Sequence, residues 1–302
     1  MARKQKTSRW FVRLGLLALG YAAWREINRR VSNNPQVSGQ GGGSRGWGLV
    51  TGASSGIGTE FARQLAARGY NLILVARREA RLRAIAEELE RDWGVTVRVL
   101  GADLSNEADT ARVEKEISEL PDLEILVNDA GFGATSPFIE GSIDEHLRMI
   151  DVHVIAVVGL TRAALPGMLA RHSGTIINVS SLSAFVPGPT SVTYSPTKAY
   201  LNNFTEALFL ENKGQGVKFQ ALCPGFTVTE FHDTLPDFPR SRLPVFLWMS
   251  AVEVVRQSLE ALDGGPVIFV PGWANRMIAF SAQSLLLSPF VRLGASMVRL
   301  RS

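Results

Sequence analysis

The fold is decided by residues 47–58, WGLVTGASSGIG, where an apolar run leads directly into a glycine-rich turn. Apolar residues with a helical period follow the turn at Phe61, Leu65 and Ala66. Strand, turn and helix therefore occur in the order of the first unit of an α/β fold. Glycines in such a turn allow close approach of a pyrophosphate, whose charge the amide groups at the helix N-terminus can receive. This stretch predicts a nucleotide-binding turn.

Beyond this turn, short apolar runs alternate with helical stretches. The predicted strands are Gly48–Val50, Asn71–Ala76, Val95–Gly101, Ile125–Asn128, Thr175–Val179, Lys218–Cys223 and Val267–Val270. The predicted helices are Glu60–Arg68, Ala80–Trp93, Asn106–Leu120, Asp144–Ala170, Tyr194–Asn212 and Ala251–Asp263. Continuous apolar runs such as Leu72 to Val75 suit strands that are covered on both faces. The sequence predicts an α/β fold with a Rossmann-type, doubly wound, seven-stranded parallel sheet in a single domain.

Three residues with acid-base potential follow the fifth predicted strand: Ser181, Tyr194 and Lys198. Tyrosine alone is a poor acid or base near neutral pH, because its unperturbed pKa is about 10. Lys198 lies four positions after Tyr194, so on a helix both side chains leave the same face. The ammonium is therefore expected to lower the pKa of the phenol. A hydroxyl from Ser181 could hold a carbonyl oxygen beside that phenol. The trio predicts reversible carbonyl reduction.

Together these segments resemble the short-chain dehydrogenase/reductase family, in its shorter single-domain branch, over roughly residues 47–272. The turn at residues 51–58 fits the family's TGxxxGxG motif, and Tyr194 with Lys198 fits its YxxxK motif. Asp103 fits the acidic residue after the third strand, and Pro224-Gly225 fits the segment after the sixth.

Two departures from the family pattern lie near the predicted site. The motif Asn-Asn-Ala-Gly appears as Asn128-Asp129-Ala130-Gly131. His153 stands where the family usually has an asparagine that helps a water relay connect the lysine to solvent. His153 could hydrogen-bond a water or add a titrating group to that relay. It could equally be a satisfied helix residue near the core.

The resemblance implies a role for each member of the trio. Tyr194 would exchange a proton with the carbonyl oxygen while a hydride passes between nicotinamide and the carbonyl carbon. Ser181 would polarise the oxygen, and Lys198 would also bind the nicotinamide ribose. The implied cofactor-binding residues are Gly52, Ser54, Ser55, Gly56, Ile57, Gly58, Arg77, Arg78, Asp103, Leu104, Asn128, Ala130, Gly131, Tyr194, Lys198, Pro224, Gly225 and Thr227. A homo-oligomer is implied as well.

The residues after the second strand indicate which nicotinamide cofactor is used. They are Ala76-Arg77-Arg78, and the first acidic residue after the strand is Glu79. An acidic side chain here would bind a ribose 2′-hydroxyl, whereas a guanidinium suits a 2′-phosphate. The sequence therefore predicts NADP(H), and the resemblance then favours reduction of a ketone or aldehyde.

Composition fits one large domain with attachments, since 46% of the 302 residues are hydrophobic and 20% are charged. Cys223 is the single cysteine, which excludes an intrachain disulfide framework; a buried structural thiol is expected. The four histidines show no metal-ligand spacing, so no metal is expected. They are His146, His153, His172 and His232.

The predicted organisation is an attachment segment at 1–45, a catalytic domain at 46–272 and a helical extension at 273–302. Basic residues between 3 and 9 precede an apolar run, residues 14–24, that is shorter than the roughly 20 residues needed to cross a bilayer. Interfacial anchoring and a marginal span both remain open; a signal peptide is discounted. A glycine-rich linker follows at 38–44.

The pI near 9.4 therefore favours an anionic membrane surface, reached through residues 1–30, over nucleic acid. The catalytic domain is expected in the cytoplasm, where NADP(H) is supplied.

The segment between Phe226 and Met249 is apolar, and the resemblance places the substrate lid there. An apolar lid with a membrane tether predicts a lipophilic carbonyl substrate. The alternative is a catalytically idle NADP-binding sensor or scaffold on the same fold.

Overall fold

Seven parallel strands form the main sheet of the computed structural model, which describes residues 45–133, 136–188, 190–231, 244–284 and 287–289. The described residues contain nine strands in all: β1 (Trp47–Thr51), β2 (Asn71–Ala76), β3 (Val97–Gly101), β4 (Leu123–Asn128), β5 (Gly174–Val179), β6 (Val217–Leu222), β7 (Phe226–Val228), β8 (Trp248–Ser250) and β9 (Ile268–Phe269). The main sheet has the order β3-β2-β1-β4-β5-β6-β9, and β7 pairs with β8 separately. The predicted fold class is confirmed.

Helices cover both faces of this sheet. They are α1 (Gly56–Ala66), α2 (Glu79–Trp93), α3 (Glu107–Ser118), α4 (Ile143–Ile150), α5 (Ala156–Ala170), α6 (Tyr194–Glu211), α7 (Ala251–Ala261) and α8 (Trp273–Gln283). Successive residues of a strand point to opposite faces. Val50 therefore packs in one core cluster with residues of α1, α2 and α7, whereas its neighbour Leu49 packs in another with residues of α3 and α5.

The chain direction across the sheet reverses between β1 and β4, which lie side by side. In an open parallel sheet such a switch point leaves a crevice at the carboxyl ends of the strands. The glycine-rich turn follows β1 here, and Asp129, Ala130 and Gly131 follow β4. The fold thus brings two of the predicted motifs to one crevice.

The long helix predicted at Asp144–Ala170 is interrupted. A π-helical turn, Asp151–Ile155, separates α4 from α5. Such turns hold one extra residue and occur often at functional sites. By length and composition the stretch Ile143–Ala170 could cross a membrane, but its α5 part packs on β4 and β5 in the fold's interior.

Several predicted features lie outside the described residues. They are the basic and apolar N-terminal segment with its linker, residues 1–44, the lid residues 232–243, and most of the C-terminal extension beyond α8. Most predicted boundaries within the described part differ from the structure by at most two residues, and the largest difference is in α1, which begins at Gly56, four residues before the expected Glu60. The glycine turn therefore continues directly into the helix.

Candidate active site

The glycine turn is packed tightly against the chain that follows β4. Gly52 has a φ of 67°, and a Cβ there would lie 2.9 Å from the backbone N of Ala130. At Gly58, a Cβ would lie 2.5 Å from the carbonyl oxygen of Gly52. Only glycine fits both positions without moving the backbone. The hydroxyl of Thr51 joins the two segments, accepting the N–H groups of Asp129 (3.0 Å) and Ala130 (3.1 Å).

The N-terminus of α1 opens at this turn. Ser55 precedes the helix without a side-chain cap, and the first turn of α1 contains no acidic residue. Instead, the N–H of Gly58 is hydrogen-bonded by the carboxyl of Asp129. A helix N-terminus with a glycine-lined approach suits a phosphate group. These residues therefore fit the pyrophosphate of a dinucleotide.

Both predicted arginines lie on the nucleotide side of the crevice. The Nε of Arg78 donates to the Oγ of Ser54 at 3.1 Å, and its Nη1 donates to Glu230 at 3.1 Å. Arg77 is paired loosely with Asp103, with 3.9 Å between the charged atoms. Glu230 is also bound by Arg81. Arg78 thus lies directly beside the glycine turn, and Arg77 lies close to Asp103, another of the implied cofactor-binding residues.

The predicted catalytic trio comes together on the other side of the crevice. Ser181 ends the extended segment after β5, and its Oγ accepts the N–H of Ser183 at 3.1 Å, capping the short helix Leu182–Ala184. Its hydroxyl is also hydrogen-bonded to the phenol of Tyr194, at the start of α6. A hydroxyl and a phenol in contact can hold one carbonyl oxygen between them.

The expected lowering of the phenol's pKa is wrong for this arrangement. Burial of the phenol raises the pKa of Tyr194 to about 12, and the hydrogen bond from Ser181 only partly opposes the rise. Lys198 directs its ammonium elsewhere, donating to the carbonyl of Val179 at 2.8 Å. Its Nζ lies 5.6 Å from the centre of the Tyr194 ring. The phenol is therefore held as a proton donor.

Lys198 is only 5% exposed, and burial lowers its pKa to about 8. The carboxyl of Asp129 acts in the opposite direction on that pKa. Burial in turn raises the pKa of Asp129 to about 7, which Lys198 and the Gly58 N–H oppose. A cation and a carboxyl thus share an interior region in which neither is fully hydrated.

His153 is fully buried and held at both ring nitrogens. Its Nε2 accepts the backbone N–H of Phe132 at 3.1 Å, so its Nδ1 carries the hydrogen and donates to the Oγ1 of Thr197 at 2.9 Å. Burial lowers the pKa of His153 well below its usual value. Of the two sequence interpretations, the geometry supports a satisfied, neutral residue that ties α6 to the segment after β4.

Asn128 and Cys223 are buried and make hydrogen bonds within the protein. The Nδ2 of Asn128 donates to Asn178 at 2.8 Å, and the neighbouring Thr205 accepts from Asn178 at 2.9 Å. Burial raises the pKa of Cys223 to about 12, and its Sγ lies 3.2 Å from the Oδ1 of Asn202. The geometry agrees with the expected structural thiol.

The remaining predicted cofactor residues fall into two groups. Leu104 is buried in the hydrophobic core between β2 and α3, so packing is its evident role. Gly225 packs closely against the side-chain amide of Asn275, which leaves no room for a Cβ. Thr227 is buried, and its hydroxyl donates to the Gly225 carbonyl at 3.1 Å. Glu230 was missed, because no sequence motif links it to an arginine about 150 residues earlier.

The parallel sheet, the glycine turn and the Ser-Tyr-Lys trio define a dinucleotide-binding α/β protein of the dehydrogenase type. The chain belongs to the short chain dehydrogenase family, whose sequence pattern matches residues 47–239.

Relatives in this family share about a third of the aligned residues. The very-long-chain 3-oxoacyl-CoA reductase of Anas platyrhynchos is 34% identical over 63% of this chain and 62% of its own length. The chain thus matches less than two thirds of that relative. A solved short-chain dehydrogenase from Sphingobium yanoikuyae, in complex with NADPH, is 33% identical, with a TM-score of 0.70 over 78% of this chain and 92% of the other. The bulky-bulky ketone specific alcohol dehydrogenase from Comamonas testosteroni is 28% identical, with a TM-score of 0.67 over 82% and 90%.

Proposed function

We propose that this protein is an NADP(H)-dependent oxidoreductase that reduces a lipophilic ketone or aldehyde. The observation that carries the proposal is the phenol of Tyr194, protonated and hydrogen-bonded to Ser181, at the crevice that the glycine turn borders. NADPH, when bound, supplies the hydride for the carbonyl carbon. The chain supplies the proton and the site that holds the oxygen.

Each member of the trio has one task in reduction. Ser181 donates a hydrogen bond that holds the carbonyl oxygen next to the phenol. Tyr194 gives its proton to that oxygen as the alkoxide forms, and takes a proton back in the reverse reaction. Lys198 keeps a positive charge near the phenolate that remains, which stabilises it.

The cofactor assignment rests on charge. Arg77 and Arg78 follow β2, and neither position carries an acidic residue that would bind a 2′-hydroxyl and repel a phosphate. The nearby carboxylate of Glu230 is paired with Arg78 and Arg81. Arg78 lies against Ser54, so a guanidinium and a hydroxyl are available together to one phosphate. The relative from Sphingobium yanoikuyae was solved with NADPH, which agrees with this choice.

The substrate class rests on apolar side chains of the segment between Phe226 and Met249, one of which, Phe231, lies beside the phenol. The rings of Tyr194 and Phe231 lie 5.8 Å apart, and Phe226 packs on Trp248 at 5.5 Å. Val245 is 86% exposed in the same region. Relatives named very-long-chain 3-oxoacyl-CoA reductases make a 3-oxoacyl thioester the first substrate to test.

Attachment to a membrane surface through residues 1–30 is part of the proposal, because basic residues flank an apolar run there. It would bring the catalytic domain to lipophilic substrates. The domain boundaries given above and a homo-oligomeric state belong to the same proposal.

The test follows NADPH consumption by absorbance with 3-oxoacyl-CoA thioesters of increasing chain length and with ketones and aldehydes. Turnover by the wild-type protein, lost in the Tyr194→Phe variant, supports the proposal. Equal turnover by both proteins would contradict the role of Tyr194. Tight NADPH binding without turnover of any of these compounds would favour an NADP-binding sensor instead.

A further inference from the structure

The carboxyl of Asp129 caps a helix to which it does not belong. It stands after β4, yet it bonds the Gly58 N–H in the first turn of α1. A Cβ on Gly58 would lie 2.7 Å from the Oδ2 of Asp129, so the glycine makes room for this approach. Ser55, the residue that could cap α1 locally, makes no such bond.

A helix N-terminus stabilises negative charge, and the effect is confined to its first turn. Under the proposed function, the pyrophosphate of the dinucleotide is received at the same end of α1. Two anions would then lie at one helix terminus, and their repulsion favours protonation of the carboxyl, which removes one of the two charges.

We propose that Asp129 is a positioning residue that takes up a proton from solvent when the dinucleotide binds, so that binding weakens as the pH rises. The inference rests on the proposed function, since it needs a dinucleotide at α1. The proton forms an O–H bond on the carboxyl, and no other bond changes. A neutral carboxyl still accepts the Gly58 N–H through its other oxygen and gains a donor for an anion.

The groups around Asp129 agree with this assignment. The titratable side chains on the surrounding elements include Lys198 and Tyr194 on α6, His153 on the π-helical turn, Glu60 on α1 and Cys223 after β6. Lys198 and the Gly58 N–H favour the carboxylate, and burial outweighs both, so the pKa of Asp129 is about 7 in the free protein. Glu60 accepts a hydrogen bond from Gln64 at 2.7 Å. His153 is neutral, and the raised pKa values of Tyr194 and Cys223 keep both protonated.

The sign of the effect follows from linkage. A pyrophosphate beside Asp129 raises the pKa of that carboxyl further, so the complex binds more protons than the free protein. The affinity for the dinucleotide is therefore highest below the pKa that Asp129 has in the free protein, and it falls as the pH rises above that value. Each unit by which binding raises that pKa corresponds to about a tenfold loss of affinity at high pH.

The first experiment measures NADPH affinity by fluorescence titration between about pH 6.5 and about pH 8.5. The dissociation constant of the wild-type protein should rise about tenfold, and that of Asp129→Asn less than about twofold. Asp122→Asn is the matched control, because it removes an exposed carboxyl from the other end of β4 and should behave as wild type. An equal pH dependence in Asp129→Asn, or an equal loss of affinity at every pH, would overturn the inference.

A second measurement counts the protons directly. Calorimetric titration of the wild-type protein and of Asp129→Asn with NADPH near neutral pH, in two buffers of different ionisation enthalpy, gives the number of protons taken up. Uptake of about half a proton by the wild-type protein, absent in Asp129→Asn, supports the inference. NADPH binding without uptake overturns it and leaves the proposed function standing. Absence of NADPH binding at every pH would overturn both.

Discussion

The two sides of the crevice place their charges in opposite surroundings. On the nucleotide side, the Arg77 side chain is 69% exposed and its ion pair with Asp103 is loose. On the catalytic side, Lys198 is 5% exposed and bonds a backbone carbonyl. Water screens the first set, so each contact there contributes little, about 0–1 kcal/mol. Burial acts on the second set by shifting pKa values.

The difference separates recognition from chemistry. Exposed arginines can rearrange around a phosphate, so removing one of them should lower the affinity for the phosphate only a little. Tyr194, Lys198 and Asp129 have pKa values of about 12, 8 and 7 because each charge is held away from water. Substitutions of buried side chains that take part in the reaction should therefore lower activity the most. Substitutions of side chains that only support the structure should lower it the least.

Tyr194→Phe should have the largest effect. It removes the proton donor and keeps the ring, so turnover of the carbonyl substrate should fall about a thousandfold while NADPH affinity changes little. The measurement is kcat beside the NADPH dissociation constant. Tyr200→Phe is the matched control on the same helix, since that ring is 40% exposed and stacks on Phe204. A rate loss of similar size in both variants would contradict the assignment of Tyr194 as the proton donor.

Gly58→Ala should come next. The added Cβ would meet the Gly52 carbonyl at 2.5 Å and the Asp129 carboxyl at 2.7 Å, so the turn must move. NADPH affinity should fall at least about tenfold, and the free energy of unfolding by about 2 kcal/mol. Titration and denaturant unfolding measure the two effects.

The control for that change is Gly167→Ala, in α5. Its Cβ would lie 3.2 Å from the Nη1 of Arg171 and would meet no backbone atom outside its own helix, so the free energy of unfolding should change far less than in Gly58→Ala. An unaffected Gly58→Ala variant would mean that the turn tolerates a side chain.

Arg78→Ala tests the exposed side. The variant should lose about tenfold in its preference for NADPH over NADH, because one guanidinium near the 2′-phosphate is removed while Arg77 remains. The ratio of kcat/KM for the two cofactors measures it. Arg83→Ala, which removes an exposed arginine of the same helix that pairs with Glu79, should leave the ratio unchanged. An unchanged ratio in Arg78→Ala would leave the NADP(H) assignment without its structural support.

His153→Gln should have the smallest effect on catalysis. The change removes two fixed hydrogen bonds, to Phe132 and Thr197, and should lower the free energy of unfolding by about 1–3 kcal/mol. The pH profile of turnover should keep its shape, because a neutral, buried histidine does not titrate in that range. Loss of one limb of the profile in this variant would instead place His153 in the proton relay.

The sequence predicts the fold well where the local signal and the tertiary signal agree. Apolar runs such as Leu72 to Val75 favour strands of a parallel sheet that is covered on both faces, and this run lies in β2 with both faces buried. The spacing of the glycines predicts the nucleotide-binding turn. The residue types of Ser181 and Tyr194 predict that both side chains reach one carbonyl oxygen.

What escaped prediction depends on distances through space. The Gly58 contact with Asp129 joins positions far apart in the chain, and the Glu230 contact with Arg78 joins positions farther apart still. The direction of the Tyr194 pKa shift was wrong because spacing places Lys198 on the right helix face but says nothing of the carbonyl that binds its ammonium. Burial is a property of the assembled fold.

The π-helical turn Asp151–Ile155 makes the chain sensitive to length at one place. Removing a single residue from it would let the helix close into a regular spiral, which each residue advances by about 100°. A π-helical turn absorbs its extra residue locally, so α4 and α5 would keep their phase. The residues of the turn itself would shift, and the imidazole of His153 would lose its register with Phe132.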